Sequence, residues 1–163
     1  MPINNKYGEF INIDNEDEIY YHIYFNDNKE EIKRKYFNKN DNVSKIKIII
    51  DYQVKSFGHL FFDCKCIGYI CFKKFYRSNI NNMEGMFDGC SSLKELNLSN
   101  FNTNNVTKMG GMFFGCSSLK ELNLSNFNTN NVTLMYEMFY GCSEQLKNKI
   151  KSEYKNIKEK AFL

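Results

Sequence analysis

The sequence is poor in the residues on which most catalytic and metal sites depend. It has two histidines, no tryptophan and a single proline among 163 residues. Neither His22 nor His59 lies in a catalytic or metal-binding motif, and the sequence has no Ser/His/Asp arrangement and no glycine-rich phosphate loop. We therefore expect no catalytic residue, no metal site and no cofactor, and a protein that is not an enzyme.

Long apolar runs and a strong charge bias are also missing. No run approaches the ~20 residues that a membrane-spanning helix needs, and residues 1–6 lack the apolar core of a secretory signal. The net charge of +3 is too small to favour nucleic acid or a membrane surface. We expect a cytoplasmic monomer with its six cysteines reduced. An extracellular location would require that the sequence is a processed fragment.

The sequence does contain many aromatic residues, 16% of the total, and a repeat of 26 residues. Residues 83–108 and 109–134 differ at only three positions. A third copy begins at Met135 and leaves the pattern after Ser143, and a degenerate copy covers 57–82. The abundance of aromatic residues indicates a folded chain, because disordered chains lack them.

The first half of each copy has the pattern of a strand. Apolar residues alternate with polar ones at its centre, which places Leu96 and Leu98 inward and Glu95, Asn97 and Ser99 outward.

The second half has the pattern of a short helix. Its apolar residues recur at helical spacing: Val106, Met109, Met112 and Phe113. Gly115 suits a left-handed helix cap. Gly110 and Gly111 would each cost ~1 kcal/mol within a helix, so we expect this turn to be short or partly 3₁₀.

One copy cannot cover its own apolar surface, so the copies are expected to stack. The predicted fold is a short right-handed α/β solenoid, similar to a leucine-rich-repeat array, with a parallel strand ladder. Residues 1–56 would form an amino-terminal β cap and a first partial coil. The repeats would cover 57–142, with 135–142 as a partial copy, and 143–163 would form an amphipathic capping helix that begins at Ser143.

Within the amino-terminal segment, residues 19–25 and 45–50 have the pattern of strands. Residues 32–37 are ambiguous, with a slight preference for strand.

The Leu-x-x-Leu-x-Leu-x-x-Phe segment at 93–101 resembles leucine-rich repeats. The whole unit resembles the repeat of the BspA-like surface-protein family, also called the mycoplasma lipoprotein-type repeat, over 83–142 and back to 57. The resemblance implies a leucine-rich-repeat-like solenoid with a binding role, and some members of that family are secreted adhesins. It supplies no catalytic residues.

Two polar columns recur with the repeat. Cys64, Cys90, Cys116 and Cys142 share one register. Metal ligands converge on a point whereas a stacked column is a line, so we predict buried thiols. The asparagine-rich blocks at 100–105 and 126–131 are expected to form hydrogen-bonded ladders.

Two surfaces remain as candidate partner sites. On the strand side the outward columns are Tyr69, Glu95 and Glu121, then Asn97 and Asn123, then Lys73, Ser99 and Ser125. On the helical side Phe114 and Tyr140 share one register, and Tyr136 lies one turn from Tyr140. These three aromatic residues either form a partner surface or pack beneath the terminal helix.

The favoured function is a non-catalytic module that binds another protein. The alternatives are a structural or inert array and a fragment of a surface adhesin.

Overall fold

The computed structural model describes residues 6–73 and 77–163. Phe75, which the repeat register aligns with Phe101, lies outside these residues. The strands are β1 (Lys6–Glu9), β2 (Tyr21–Phe25), β3 (Tyr36–Asn38), β4 (Ile46–Ile50), β5 (Tyr69–Ile70), β6 (Glu95–Asn97) and β7 (Glu121–Asn123), and the helix is α1 (Glu144–Glu153). Single 3₁₀ turns cover Glu18–Tyr20 and Glu159–Ala161.

The predicted right-handed α/β solenoid is wrong. The strands belong to three small sheets of two, two and three strands, and they do not form one continuous ladder. The described part of the chain contains one α-helix, which follows the last repeat, and the second half of each repeat forms consecutive turns.

Hydrogen bonds between copies explain why the second half of the repeat is not helical. The Gly111 N–H donates to the Tyr136 carbonyl at 2.8 Å, and the Phe113 N–H donates to the Met138 carbonyl at 3.0 Å. Backbone donors that bond to the next copy are not available to an α-helix. Gly111 also has φ of 60°, in the left-handed region that interrupts a helical run.

The three-stranded sheet aligns equivalent residues of successive copies. Its strands are parallel in the order β5-β6-β7, and Leu96 lies beside Leu122 as predicted. Leu96 and Leu98 are buried while Glu95 and Asn97 are exposed, which confirms the predicted inward and outward faces.

A stack of aromatic rings runs through the core beside this sheet. Phe61, Phe87, Phe113 and Phe139 occupy the same position in successive copies, and their ring centroids are 5.6, 5.7 and 5.5 Å apart. Each stacked pair contributes about 1 kcal/mol beyond the burial of its area.

The amino-terminal segment forms the two antiparallel sheets, β1-β3 and β2-β4. Strand β2 is shorter than the predicted 19–25, because Glu18–Tyr20 is a 3₁₀ turn. Strand β4 begins one residue after the predicted start at Lys45. In the ambiguous 32–37 segment, Ile32 forms a single bridge with Ile23, and β3 begins at Tyr36.

The carboxyl-terminal helix is shorter than the predicted 143–163. Ser143 caps it as predicted, accepting a hydrogen bond from the Leu146 N–H at 3.3 Å, but α1 ends at Glu153. The following residues bond to the last copy, with the Phe139 N–H donating to the Ala161 carbonyl at 2.8 Å. Within the described ranges no helix is long and apolar enough to cross a membrane.

Candidate interaction surfaces

The outward face of the three-stranded sheet forms one side of an open groove of about 450 Å³, here called the sheet groove. It is lined by Tyr69, Glu95, Leu96, Asn97, Glu121, Leu122, Asn123, Lys149, Glu153 and Tyr154. The strands contribute the predicted columns, since Tyr69, Glu95 and Glu121 pair in register and Asn97 pairs with Asn123. Helix α1 and its carboxyl end supply the second wall.

The charges in the sheet groove are only partly paired. Lys149 lies 2.5 Å from Glu121, and this hydrogen bond raises the pKa of Lys149. Glu95 and Glu153 have no cationic group within ion-pair distance among the residues that the structure describes. The sheet groove therefore carries excess negative charge.

Asn97 and Asn123 are held in place by their own loops. The Asn97 side-chain oxygen accepts the Ser99 N–H at 3.0 Å, and Asn123 accepts the Ser125 N–H at the same distance. These bonds occupy the amide oxygens. The side-chain NH₂ groups of both residues have no partner within the described chain, so they can donate to a ligand.

Tyr69 is the exposed aromatic residue of the strand side, with 65% of its surface accessible. The nearby Cys71 thiol raises the pKa of the Tyr69 phenol. Lys73 and Ser125 are exposed and Ser99 is half-buried, but none of these three lines the sheet groove.

Sequence reasoning missed the contribution of Lys149 and Glu153 to this surface. The two residues lie one helical turn apart on α1, so helical periodicity could have shown that they share a face. It could not have shown that this face meets the sheet.

On the turn side, Phe114 and Tyr140 stack with ring centroids 5.0 Å apart. Phe62 and Asp88 occupy the same register in the preceding copies, and the four residues Phe62, Asp88, Phe114 and Tyr140 are here called the turn-side column. Sequence reasoning missed Phe62, although the 26-residue register assigns it. Phe62 is 44% exposed and Tyr140 is 52% exposed.

Tyr136, four residues before Tyr140, connects two copies. Its hydroxyl donates to the Glu84 carboxylate at 2.5 Å, a bond that raises the pKa of Tyr136. Tyr136 remains 45% exposed. Tyr136 and Tyr140 are thus accessible to solvent, whereas Phe114 is half-buried.

The cysteine column consists of free, buried thiols, as predicted for Cys64, Cys90, Cys116 and Cys142. Each of the last three donates to a backbone carbonyl of the preceding copy, for example Cys116 to Phe87 at 3.1 Å. Burial raises the pKa of Cys90 and of Cys142 to about 12. These thiols therefore stay protonated and unreactive near neutral pH.

The asparagine ladders are also confirmed. The side-chain amide of Asn105 donates to the Ser78 carbonyl at 2.7 Å, and that of Asn131 donates to the Asn104 carbonyl at 2.7 Å. Side chains of one copy thus bind backbone of the copy before it, which is a structural role.

Fold and surfaces together define a protein of short internal repeats whose copies bond side by side and leave polar and aromatic surfaces exposed. The chain matches one family model over residues 53–161, and it belongs to that family, which is described as Mycoplasma protein of unknown function, DUF285. Comparisons with curated proteins and with solved structures found no significant match.

Proposed function

We propose that this protein is a non-catalytic interaction module that binds an extended segment of another protein in the sheet groove. One observation carries the proposal: three copies align their exposed side chains in register, and helix α1 closes one side of the resulting face. The face of a sheet offers side chains rather than main-chain groups, so an extended segment would be held by hydrogen bonds from side-chain amides and by contacts of its own side chains.

The chemistry of the sheet groove specifies the segment. The side-chain NH₂ groups of Asn97 and Asn123 are available to backbone carbonyls. Glu95 and Glu153 favour a lysine or arginine in the segment, and the exposed ring of Tyr69 offers an aromatic contact. The partner is therefore expected to be basic where it enters the groove.

The proposal also covers the relationship of the repeat to a known family and the location of the protein. The 26-residue unit supports a relationship with the BspA-like repeat at the level of sequence. Six free cysteines support a cytoplasmic location, because a reducing compartment keeps thiols unpaired.

The test is capture from source lysate followed by direct measurement. A protein recovered by the wild type is identified, purified and titrated against wild type, the double variant Glu95→Lys and Asn97→Ala, and the control Lys39→Ala. Lys39 is exposed and does not line the groove.

We expect the groove variant to lower affinity by about tenfold or more and the control to leave it unchanged. A partner that binds the groove variant as tightly as the wild type would reject the groove as its site. Failure to recover any partner would favour an inert array. Immunolocalisation to the cell exterior would favour the adhesin fragment.

A further inference from the structure

The turn-side column contains one carboxylate in a place where its neighbours carry rings. We propose that Asp88 marks a slot for an arginine side chain of a partner protein, with the guanidinium paired to Asp88 and stacked against Phe62 or Phe114. The residues of this column do not line the sheet groove, so the inference is independent of the proposed function.

Backbone hydrogen bonds place Asp88 between two aromatic members of the column. Backbone bonds join the copies on both sides of Asp88: the Asp63 N–H donates to the Asp88 carbonyl at 2.7 Å, and the Gly89 N–H donates to the Phe114 carbonyl at 2.8 Å. The next two members, Phe114 and Tyr140, stack at 5.0 Å. Asp88 holds the register position between Phe62 and Phe114, and its side chain is smaller than the rings at those two positions.

Asp88 has no ion-pair partner among the described residues, although the His59 ring lies near enough to act on its charge. Its side chain is half-buried and forms no hydrogen bond or ion pair with any described residue. The neighbouring Asp63 already has a cation, since Lys65 lies 2.8 Å from it. Partial burial raises the pKa of Asp88. A partly desolvated carboxylate without a partner is stabilised by any cation that reaches it.

The flanking rings favour arginine over lysine. A guanidinium is planar, donates two parallel hydrogen bonds to a carboxylate and stacks on aromatic faces, whereas an ammonium is a strongly hydrated point charge. Phe62 exposes 44% of its surface, so part of its ring is accessible from solvent, and the ring also packs edge-on with His59 at a centroid distance of 5.8 Å.

The surroundings favour a protein as the carrier of that arginine. Tyr140, which stacks on Phe114, is 52% exposed, and Tyr136, which bonds to Glu84, is 45% exposed. Tyrosine is enriched among the residues that carry the binding energy of protein interfaces. Glu84, four residues before Asp88 in the same copy, adds negative charge on this side.

The slot is tested with a defined probe. The peptide acetyl-Gly-Arg-Gly-amide is titrated into isotope-labelled full-length protein while backbone amide chemical shifts are followed. The control probe carries citrulline, which keeps the planar shape of arginine without its charge, and a second control carries lysine.

We expect saturable shifts at the amides of Asp88, Gly89 and Phe114 with the arginine peptide, weaker binding of the lysine peptide and no saturation with citrulline. Asp88→Asn should weaken arginine binding about tenfold, and Phe114→Leu about threefold. Glu137→Gln removes an exposed carboxylate outside the column and should leave the affinity for the arginine peptide unchanged.

Absence of saturable binding, equal binding of citrulline, or unchanged affinity in Asp88→Asn would overturn the proposal. Equal affinity for arginine and lysine would overturn the stacking component. The far-ultraviolet spectrum of each variant confirms that it remains folded, and Phe114→Leu provides an independent test if Asp88→Asn does not fold.

Discussion

Phe162 stacks on Phe139 with ring centroids 5.1 Å apart and planes inclined by 17°. This spacing continues the series from Phe61 to Phe139, whose centroids lie 5.5 to 5.7 Å apart. Phe162 therefore takes the place that the phenylalanine of a further copy would fill, and the chain end covers the open side of the last repeat.

Replacing Phe162 with alanine should destabilise the whole protein. The side chain is 8% exposed, and deletion of a buried phenylalanine costs ~3 kcal/mol. The measurement is urea unfolding at equilibrium. Leu163→Ala is the matched control, because Leu163 is 71% exposed and its loss should change the free energy of unfolding by less than about 0.5 kcal/mol. Equal effects of the two variants would contradict the capping role of Phe162.

The sequence predicted a terminal cap but not its form. An apolar stripe from Leu146 to Ala161 indicates one continuous helix, yet α1 ends at Glu153. The reason is long-range: the Asn156 side chain donates to the Phe127 carbonyl at 2.7 Å, and the Asn156 carbonyl accepts the Thr129 hydroxyl at 2.7 Å. Local periodicity contains no information about the unsatisfied groups of the last copy.

Two adjacent glycines should respond differently to alanine. At Gly110 a Cβ would lie 2.7 Å from Cε1 of the Tyr136 ring, so the ring must move away from Glu84. At Gly111 a Cβ has space, but φ of 60° is strained for alanine by about 1 kcal/mol. Both variants should destabilise the protein, for different reasons.

A double-mutant cycle with Tyr136→Ala separates the two causes. Urea unfolding should show that Tyr136→Ala removes most of the cost of Gly110→Ala and leaves the cost of Gly111→Ala unchanged. Additive effects for the Gly110 pair would mean that the tyrosine ring does not rest on that glycine.

The stability of the amino-terminal segment should depend on the protonation of His22. Its ring nitrogens lie 3.1 Å from Glu31 and 3.4 Å from Asp51, and hydrogen bonds to these carboxylates, first to Glu31, raise the pKa of His22 above 6.5. Lys33 also contacts Glu31, at 2.7 Å. Because the folded state holds the proton more tightly, this stabilisation is fully present below pH 6.5 and is lost as the pH rises through the raised pKa.

Unfolding at a series of pH values, with His22→Gln as the comparison, measures this contribution. The free energy of unfolding of the wild type should exceed that of the variant below pH 6.5. This difference should decline as the pH increases from below 6.5 to above the raised pKa. An advantage that grows over this window would contradict the assignment, because it would mean that the neutral ring is favoured on folding.

The strand-side surface was more predictable than the turn side. Near-identity of the copies fixes the pairing of Glu95 with Glu121 and of Asn97 with Asn123, so the columns follow from the register alone. The predicted helix does not form, because alternate N–H groups such as that of Gly111 bond to the next copy. The spacing of apolar residues does not indicate this bonding. The position of Lys149 in the groove depends on how α1 meets the sheet, which is a tertiary property.

Thiol labelling should divide the six cysteines into two classes. Cys66 and Cys71 are exposed, whereas Cys64, Cys90, Cys116 and Cys142 are buried. Alkylation requires the thiolate, and burial raises the pKa of Cys90 and Cys142 to about 12, so the buried thiols lack both access and reactivity. Mass spectrometry after brief alkylation at pH 8 should show label on Cys71 and, more slowly, on Cys66, whose pKa is also raised by partial burial, and on no other cysteine. In denaturant all six should react, and fewer than six would reveal a disulfide or a bound metal.

Rapid native labelling of Cys116, the thiol that donates to the Phe87 carbonyl, would show that neighbouring copies separate readily and that the hydrogen bonds between them are weak.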